Sequence, residues 1–171
     1  TPFGKISPTS GVTNQPLSLL LDWEDSTNVN VYEYCYDNNL DDSCSSDWIS
    51  TTDTSALVSD LVYGQAYEWQ VRAYFNGNPN PTIADGGTWW TFATTVAPPG
   101  SFNKSEPINQ ATDRLTSLTL SWGISSGIGV QYEYCYEIYD GNDTCEGPWT
   151  PTTENSAVIS GLSNATTYSW Q

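Results

Sequence analysis

The sequence predicts an all-β protein of two tandem β-sandwiches with about seven short strands each, the second lacking its last strand or strands. Three observations carry this. The stretch Val31-Tyr32-Glu33-Tyr34-Cys35-Tyr36, followed by Cys44 and Trp48, returns as Gln131-Tyr132-Glu133-Tyr134-Cys135-Tyr136, followed by Cys145 and Trp149, so a unit of about 100 residues occurs twice. Apolar residues alternate with polar ones at period two and nowhere sustain the i, i+3, i+4, i+7 spacing of an amphipathic helix. Thr, Ser, Gly, Asn and Pro are abundant, and aromatic residues make up 13% of the chain, the composition of short strands joined by many turns.

The elements follow in order. Pro2, Pro8, Gly11 and Pro16 suit a short, irregular first strand at a sheet edge. Leu17, Leu19, Leu21 and Trp23 then place an apolar stripe on one face of a second strand, matched in the second copy by Leu118, Leu120 and Trp122. In the repeated stretch Tyr32, Tyr34 and Tyr36 share one face and Glu33 and Cys35 the other. The charged neighbour marks the cysteine face as the wet one. Asp37 to Ser43 reads as a polar turn and Cys44 as the start of the return strand, so a Cys35–Cys44 bridge would staple a hairpin on its solvent side. Short strands are expected at Ser55-Ala56-Leu57-Val58 and Ser156-Ala157-Val158-Ile159. Leu61, Tyr67, Trp69, Val71 and Ala73 share one frame, opposite Glu68, Gln70 and Arg72; an Asn76-Gly77 turn then leads to a last strand, Thr88-Trp89-Trp90-Thr91-Phe92. The second copy reads Leu162, Tyr168 and Trp170 and reaches Gln171 without an equivalent strand. Its core is expected to be completed either by further residues or by a strand from another subunit, a known route to extracellular filaments. The boundary falls at Val96-Ala97-Pro98-Pro99-Gly100, a short and stiff connector between domains 1–97 and 98–171.

Charge and cysteines bound the function. Twenty acids against four bases give a net charge of −16, with twelve acids to two bases over 1–97 and eight to two over 98–171. Nucleic acid and anionic membrane both require clustered Lys and Arg, so neither is an expected partner. No apolar stretch is long enough for a membrane span or a signal peptide. The four cysteines, one pair per copy, read as the local disulfides Cys35–Cys44 and Cys135–Cys145, which persist in oxidising compartments. Zinc would require closer pairs and usually His, of which there is none.

These residues resemble the fibronectin type III family, whose marks are a Trp closing the second strand (Trp23, Trp122), a Tyr-rich third strand (Tyr32 and Tyr34; Tyr132 and Tyr134), and a leucine followed by a tyrosine corner. The last is Leu61 with Tyr67-x-Trp69-x-Val71-x-Ala73, and Leu162 with Tyr168-x-Trp170. The resemblance implies immunoglobulin-like sandwiches, but the fold alone does not imply a role. Three departures matter: the hairpin disulfides, the absence of an Arg-Gly-Asp tripeptide, and the doubled Trp89-Trp90. The first and third resemble repeats of bacterial and archaeal surface proteins, where such modules serve as spacers, adhesive units or subunits of assemblies.

Candidate sites are few. Without His, and with every Cys given a partner, nucleophilic and imidazole chemistry are excluded; carboxylate pairs such as Asp41 and Asp42 lie in turns where no pocket is implied, so no enzyme and no cofactor are expected. Asp37, Asn39 and Asp41 are weak calcium candidates, as is the shorter Asp140-Gly141-Asn142-Asp143; position six of the first loop is Asp42 rather than Gly and position twelve Trp48 rather than Glu. Trp48, Trp89, Trp90 and Trp149 are candidate exposed aromatics, able to stack on sugars or anchor an interface. Asn103, Asn142 and Asn164 begin N-glycosylation sequons. The expected function is a structural or adhesive repeat of a longer extracellular or cell-surface protein, its partners being neighbouring repeats or subunits, with surface polysaccharide a further candidate. The alternative is a carbohydrate-binding accessory module of a secreted glycoside hydrolase.

Overall fold

Strand alternation sorts the side chains of the first repeat into two sheets facing each other across an aromatic core. The computed structural model describes every residue except Asn76 and Asp143, so the expected Asn76-Gly77 turn lies partly outside the described residues. The chain divides into two units, Thr1–Ala97 and Pro98–Gln171. In the first, the strands are β1 (Lys5–Ser7), β2 (Val12–Gln15), β3 (Leu19–Trp23), β4 (Val29–Asp37), β5 (Ile49–Thr51), β6 (Ser55–Val58), β7 (Ala66–Phe75), β8 (Thr82–Ile83) and β9 (Trp90–Thr94). One sheet runs β1-β3-β6; the other runs β2-β9-β7-β4-β5, with β8 added beside β7. This two-sheet arrangement is a fibronectin type III-like sandwich.

The core is the predicted one. Leu19, Leu21 and Trp23 from one sheet meet Tyr32, Tyr67, Trp69, Val71 and Phe92 from the other. Trp90 stands edge-on to Trp69 at 6.2 Å and Tyr67 stacks on Phe92 at 5.5 Å. Aromatic pairs of this kind add about 0.5–1.5 kcal/mol beyond the area they bury. The Tyr67 hydroxyl accepts the Val62 N–H at 2.9 Å, as the tyrosine corner requires, and the Tyr32 hydroxyl accepts the Ser26 N–H at 2.8 Å. The indole N–H groups of Trp23, Trp69 and Trp122 are buried with no hydrogen-bond partner among the described residues.

Four expectations are corrected. The irregular first strand is two strands: β1 pairs with β3 in one sheet, and after a crossing at Gly11 (φ 81°) β2 pairs with β9 in the other. The return strand begins at Ile49 rather than Cys44, because the preceding loop is held by carboxylates instead of by a ladder. The last strand begins at Trp90 rather than Thr88, following a short turn at Ala84–Gly87 in which Asp85 and Gly86 take positive φ. Finally, the cysteine face is not wet. Cys35 is 0% exposed, and Glu33, which suggested solvent, is instead neutralised by Arg72 at 2.6 Å.

The second unit repeats this plan with β10 (Lys104–Glu106), β11 (Ser117–Trp122), β12 (Tyr132–Tyr134), β13 (Tyr136–Ile138), β14 (Thr150–Thr152), β15 (Ser156–Ser160) and β16 (Tyr168–Trp170). Its sheets are β10-β11-β15, β12-β14 and β13-β16. Registers match across the copies: Lys5 faces Trp23 as Lys104 faces Trp122, and Tyr36 faces Trp69 as Tyr136 faces Trp170. The Ser125 and Ser163 N–H groups donate to the hydroxyls of Tyr132 and Tyr168, repeating the anchors of the first unit. The described residues of this unit supply no counterpart of β9.

Candidate interaction surfaces

In the first unit, the outer face of the β9-β7-β4-β5 sheet carries most of the sequence-predicted residues. Both disulfides are formed, with Cα separations of 6.0 Å for Cys35–Cys44 and 6.3 Å for Cys135–Cys145. Arg72 lies with its guanidinium 4.0 Å from the centre of the Trp48 ring and 5.5 Å from that of Tyr74, while bonding Glu33. Trp89 reaches Trp48 at 6.4 Å, so the two half-buried indoles and the arginine form one cluster. Trp90 faces the core instead and is half-buried against Trp69. In the second unit Trp149 is 44% exposed.

The calcium candidates do other work. Asp37 is buried, and its two oxygens accept the N–H groups of Asn39 and Ser45. Asp41 accepts from the Ser43 N–H and hydroxyl. Among the described residues no group of three or more His, Cys, Asp or Glu is placed to hold a metal ion. The shorter candidate ends on Asp143, outside the described residues, as does the middle of the Asn142 sequon. Asn103, Asn142 and Asn164 are all exposed.

Two groups that alternation alone does not single out matter more. Glu68 is 1% exposed, and its carboxylate accepts the Asp41 and Asp42 N–H groups at 2.8 and 3.0 Å, pinning the disulfide loop to the sheet. Burial pushes its pKa up, against the two N–H bonds and with the nearby charges of Asp37 and Asp41 adding to the rise. A carboxyl whose folded-state pKa is raised makes no demand on stability below its ordinary range and lowers stability as pH climbs through the raised value. Glu68→Gln therefore removes a cost that grows with pH. Urea midpoints between about pH 4 and about pH 8 should show the variant gaining on the parent protein as pH rises; a flat or falling difference contradicts this.

The second group is Lys5. Its ammonium is fully buried between the Trp69 and Trp90 rings and donates to Gln70 Oε1 at 2.8 Å and the Thr88 carbonyl at 2.7 Å, with Asp85 at 3.1 Å. Burial lowers its pKa, partly offset by Asp85. Lys104, the same position in the second copy, is exposed; it donates to the Trp170 carbonyl at 2.8 Å, its ammonium 5.1 Å from the ring centre. The sequence did hold a signal: of only four basic residues, Lys5 and Lys104 stand at the same distance before a core tryptophan.

No protein-family model matches the chain, and no curated protein does. Among solved structures, it is similar to a two-domain fibronectin type III segment of chicken tenascin, at 18% identity and a TM-score of 0.39, covering 99% of this chain and 80% of that one. It is also similar to the FN1-FN3 domains of chicken CNTN1, at 14% identity and a TM-score of 0.36, covering 99% of this chain and 61% of that one. The fold assignment rests on strand order and register within each unit. The described residues contain no helix long and apolar enough to cross a membrane.

Proposed function

We propose that the chain is a non-catalytic structural or adhesive module of a longer extracellular or cell-surface protein of bacterial or archaeal type, working through contacts with neighbouring repeats or subunits, including those of a filament. The disulfide in each sandwich supports an oxidising location. The observation that carries the reading against the carbohydrate-binding alternative is the state of the Trp48–Trp89 cluster. A sugar ring needs an open aromatic face, whereas Arg72 already occupies a face of Trp48 at 4.0 Å and is held there by Glu33. Exposed Asn103, Asn142 and Asn164 would take glycans in a cell that glycosylates its secreted proteins.

The discriminating experiment is titration of the whole chain with soluble polysaccharides, read by tryptophan fluorescence and calorimetry. No saturable change is expected. A saturable response that Trp48→Ala or Trp149→Ala abolishes would replace this reading with the carbohydrate-binding one.

A further inference from the structure

The outer face of the β1-β3-β6 sheet in unit one is apolar where solvent favours polar residues. Leu20 and Leu57 stand directly opposite each other on β3 and β6, and alternation turns both away from the core that Leu19, Leu21 and Val58 fill. They are 49% and 69% exposed, and Ile6 on β1 is 48% exposed. The second repeat is an internal control for what the fold requires of this face. Its register sets Thr119 opposite Val158 where the first sets Leu20 opposite Leu57, and Ser105 follows Lys104 as Ile6 follows Lys5. Two of the three aliphatic residues thus give way to hydroxyl-bearing ones with the same strand pairing, so the sandwich does not need them.

Charge and register narrow what covers the face. Unit one carries twelve acids and two bases, yet among the outward residues of β3 and β6 only Asp22 is charged, and Ser55 stands opposite it. Neither base is there: Lys5 is buried in the core, and Arg72 lies on the other sheet, paired with Glu33. A basic partner would find one carboxylate here and an acidic partner no cation. A second copy of the chain, repelled elsewhere by a net charge of −16, meets little charge at this face. The register is also self-complementary. A two-fold axis along the strands, midway between β3 and β6, sets Leu20 of each copy on Leu57 of the other, and Asp22 on Ser55 rather than on a second acid.

We propose that this face is a contact between two copies of the chain, the two β1-β3-β6 sheets packing face to face with Leu20 on Leu57 in both directions and Ile6 at the rim. Three aliphatic side chains cover on the order of a few hundred Å², against about 800 Å² per partner in a standard interface, so the dimer is weak, with a Kd on the order of 0.1–1 mM. Unit two carries Ser105 and Thr119 in place of Ile6 and Leu20, so each chain brings one such face and association stops at the dimer. The proposal rests on the reading of the chain as a module that works through contacts with other subunits, and it names the face. A chain that stays monomeric overturns the face and leaves that reading to other contacts, whereas a saturable polysaccharide response overturns the reading and leaves the dimer.

The probe is the whole chain itself, sedimented at concentrations from about 10 μM to about 1 mM, a range that brackets the expected Kd. The weight-average sedimentation coefficient should rise towards that of a dimer and no further. Raising sodium chloride from about 0.15 M to about 0.5 M should leave the dimer intact or strengthen it, because the contact is apolar and salt screens the repulsion between copies. Leu20→Thr with Leu57→Thr should weaken it at least about tenfold, since the two-fold axis counts each loss twice. Leu20→Thr copies the residue of the second repeat, and an unchanged urea midpoint verifies that the variant folds. Thr119→Ser with Val158→Thr, the matching positions of unit two, should leave the dimer as it is. A monomer at every concentration leaves the face to a partner of another kind and overturns the proposal. So does a dimer that salt dissolves, one that survives the Leu20 and Leu57 changes, or one that the unit-two changes abolish.

Discussion

Asp85→Asn lowers the stability of the first unit by about 3 kcal/mol, measured by urea denaturation of the whole chain. The substitution keeps the shape of the side chain and suits the left-handed backbone at this position (φ 49°), so the change is one of charge. What it leaves behind is a lysine with a fully buried side chain and no counter-ion. Removing one member of a buried pair typically costs about 3–5 kcal/mol, and the lower end applies because the Asp85 side chain is itself 25% exposed. Lys5→Met should cost less, about 1.5 kcal/mol, since it removes the buried charge and leaves Asp85 within reach of water. The pH dependence has a definite sign. Burial depresses the folded-state pKa of Lys5 below its ordinary 10.5, so stability rises as pH climbs from the depressed value towards 10.5. Without the aspartate charge the depression deepens and that window opens at lower pH. The deficit of Asp85→Asn should therefore shrink as the solution is made alkaline. A deficit below about 1 kcal/mol at neutral pH, or one that grows with pH, would mean that Lys5 is not held by charge.

Why Lys5 and Glu68 escape a reading of the sequence while Leu21 and Trp23 do not is a matter of what alternation encodes. Period two assigns a side chain to a face, and the stripe ending in Trp23 and its copy ending in Trp122 are core on both counts. Depth is another matter. Glu68 and Gln70 lie on the expected outer face and yet are 1% exposed. Their cover comes from residues remote in sequence: the disulfide loop lies over Glu68, and Lys5 reaches Gln70 from the first strand. The same cause buries Cys35. A glutamate two residues away is fair evidence of solvent only while nothing else pairs with it, and Arg72, 39 residues on, does. The disulfide pairing, by contrast, is legible because it is local and repeated.

Unpaired by alanine substitution, the two disulfides should cost nearly the same in global stability and differ in local opening. Their loops have sequence separations of 9 and 10, so the chain-entropy contribution is about 2.5–3 kcal/mol for each. The native loops are held by different means. In the first, Glu68 takes the Asp41 and Asp42 N–H groups and Asp37 takes those of Asn39 and Ser45, so four backbone donors stay anchored when the bridge is gone. In the second, Ser169 stands where Glu68 stands in the first; among the described residues Glu137 takes the N–H groups of Glu146 and Gly147 and Asp140 that of Asn142, and no carboxylate from the neighbouring strand reaches the loop. Each such charged bond is worth about 1.5–3 kcal/mol against opening. Cys135→Ala with Cys145→Ala should thus expose its loop to a glutamate- or aspartate-directed protease well before Cys35→Ala with Cys44→Ala does. Cleavage after Glu146 is expected first, with Asp41 and Asp42 protected until the first unit unfolds as a whole. Equal rates in the two variants, or earlier cleavage at Asp41 or Asp42, would show that the bridge and not the Glu68 carboxylate holds the first loop in place.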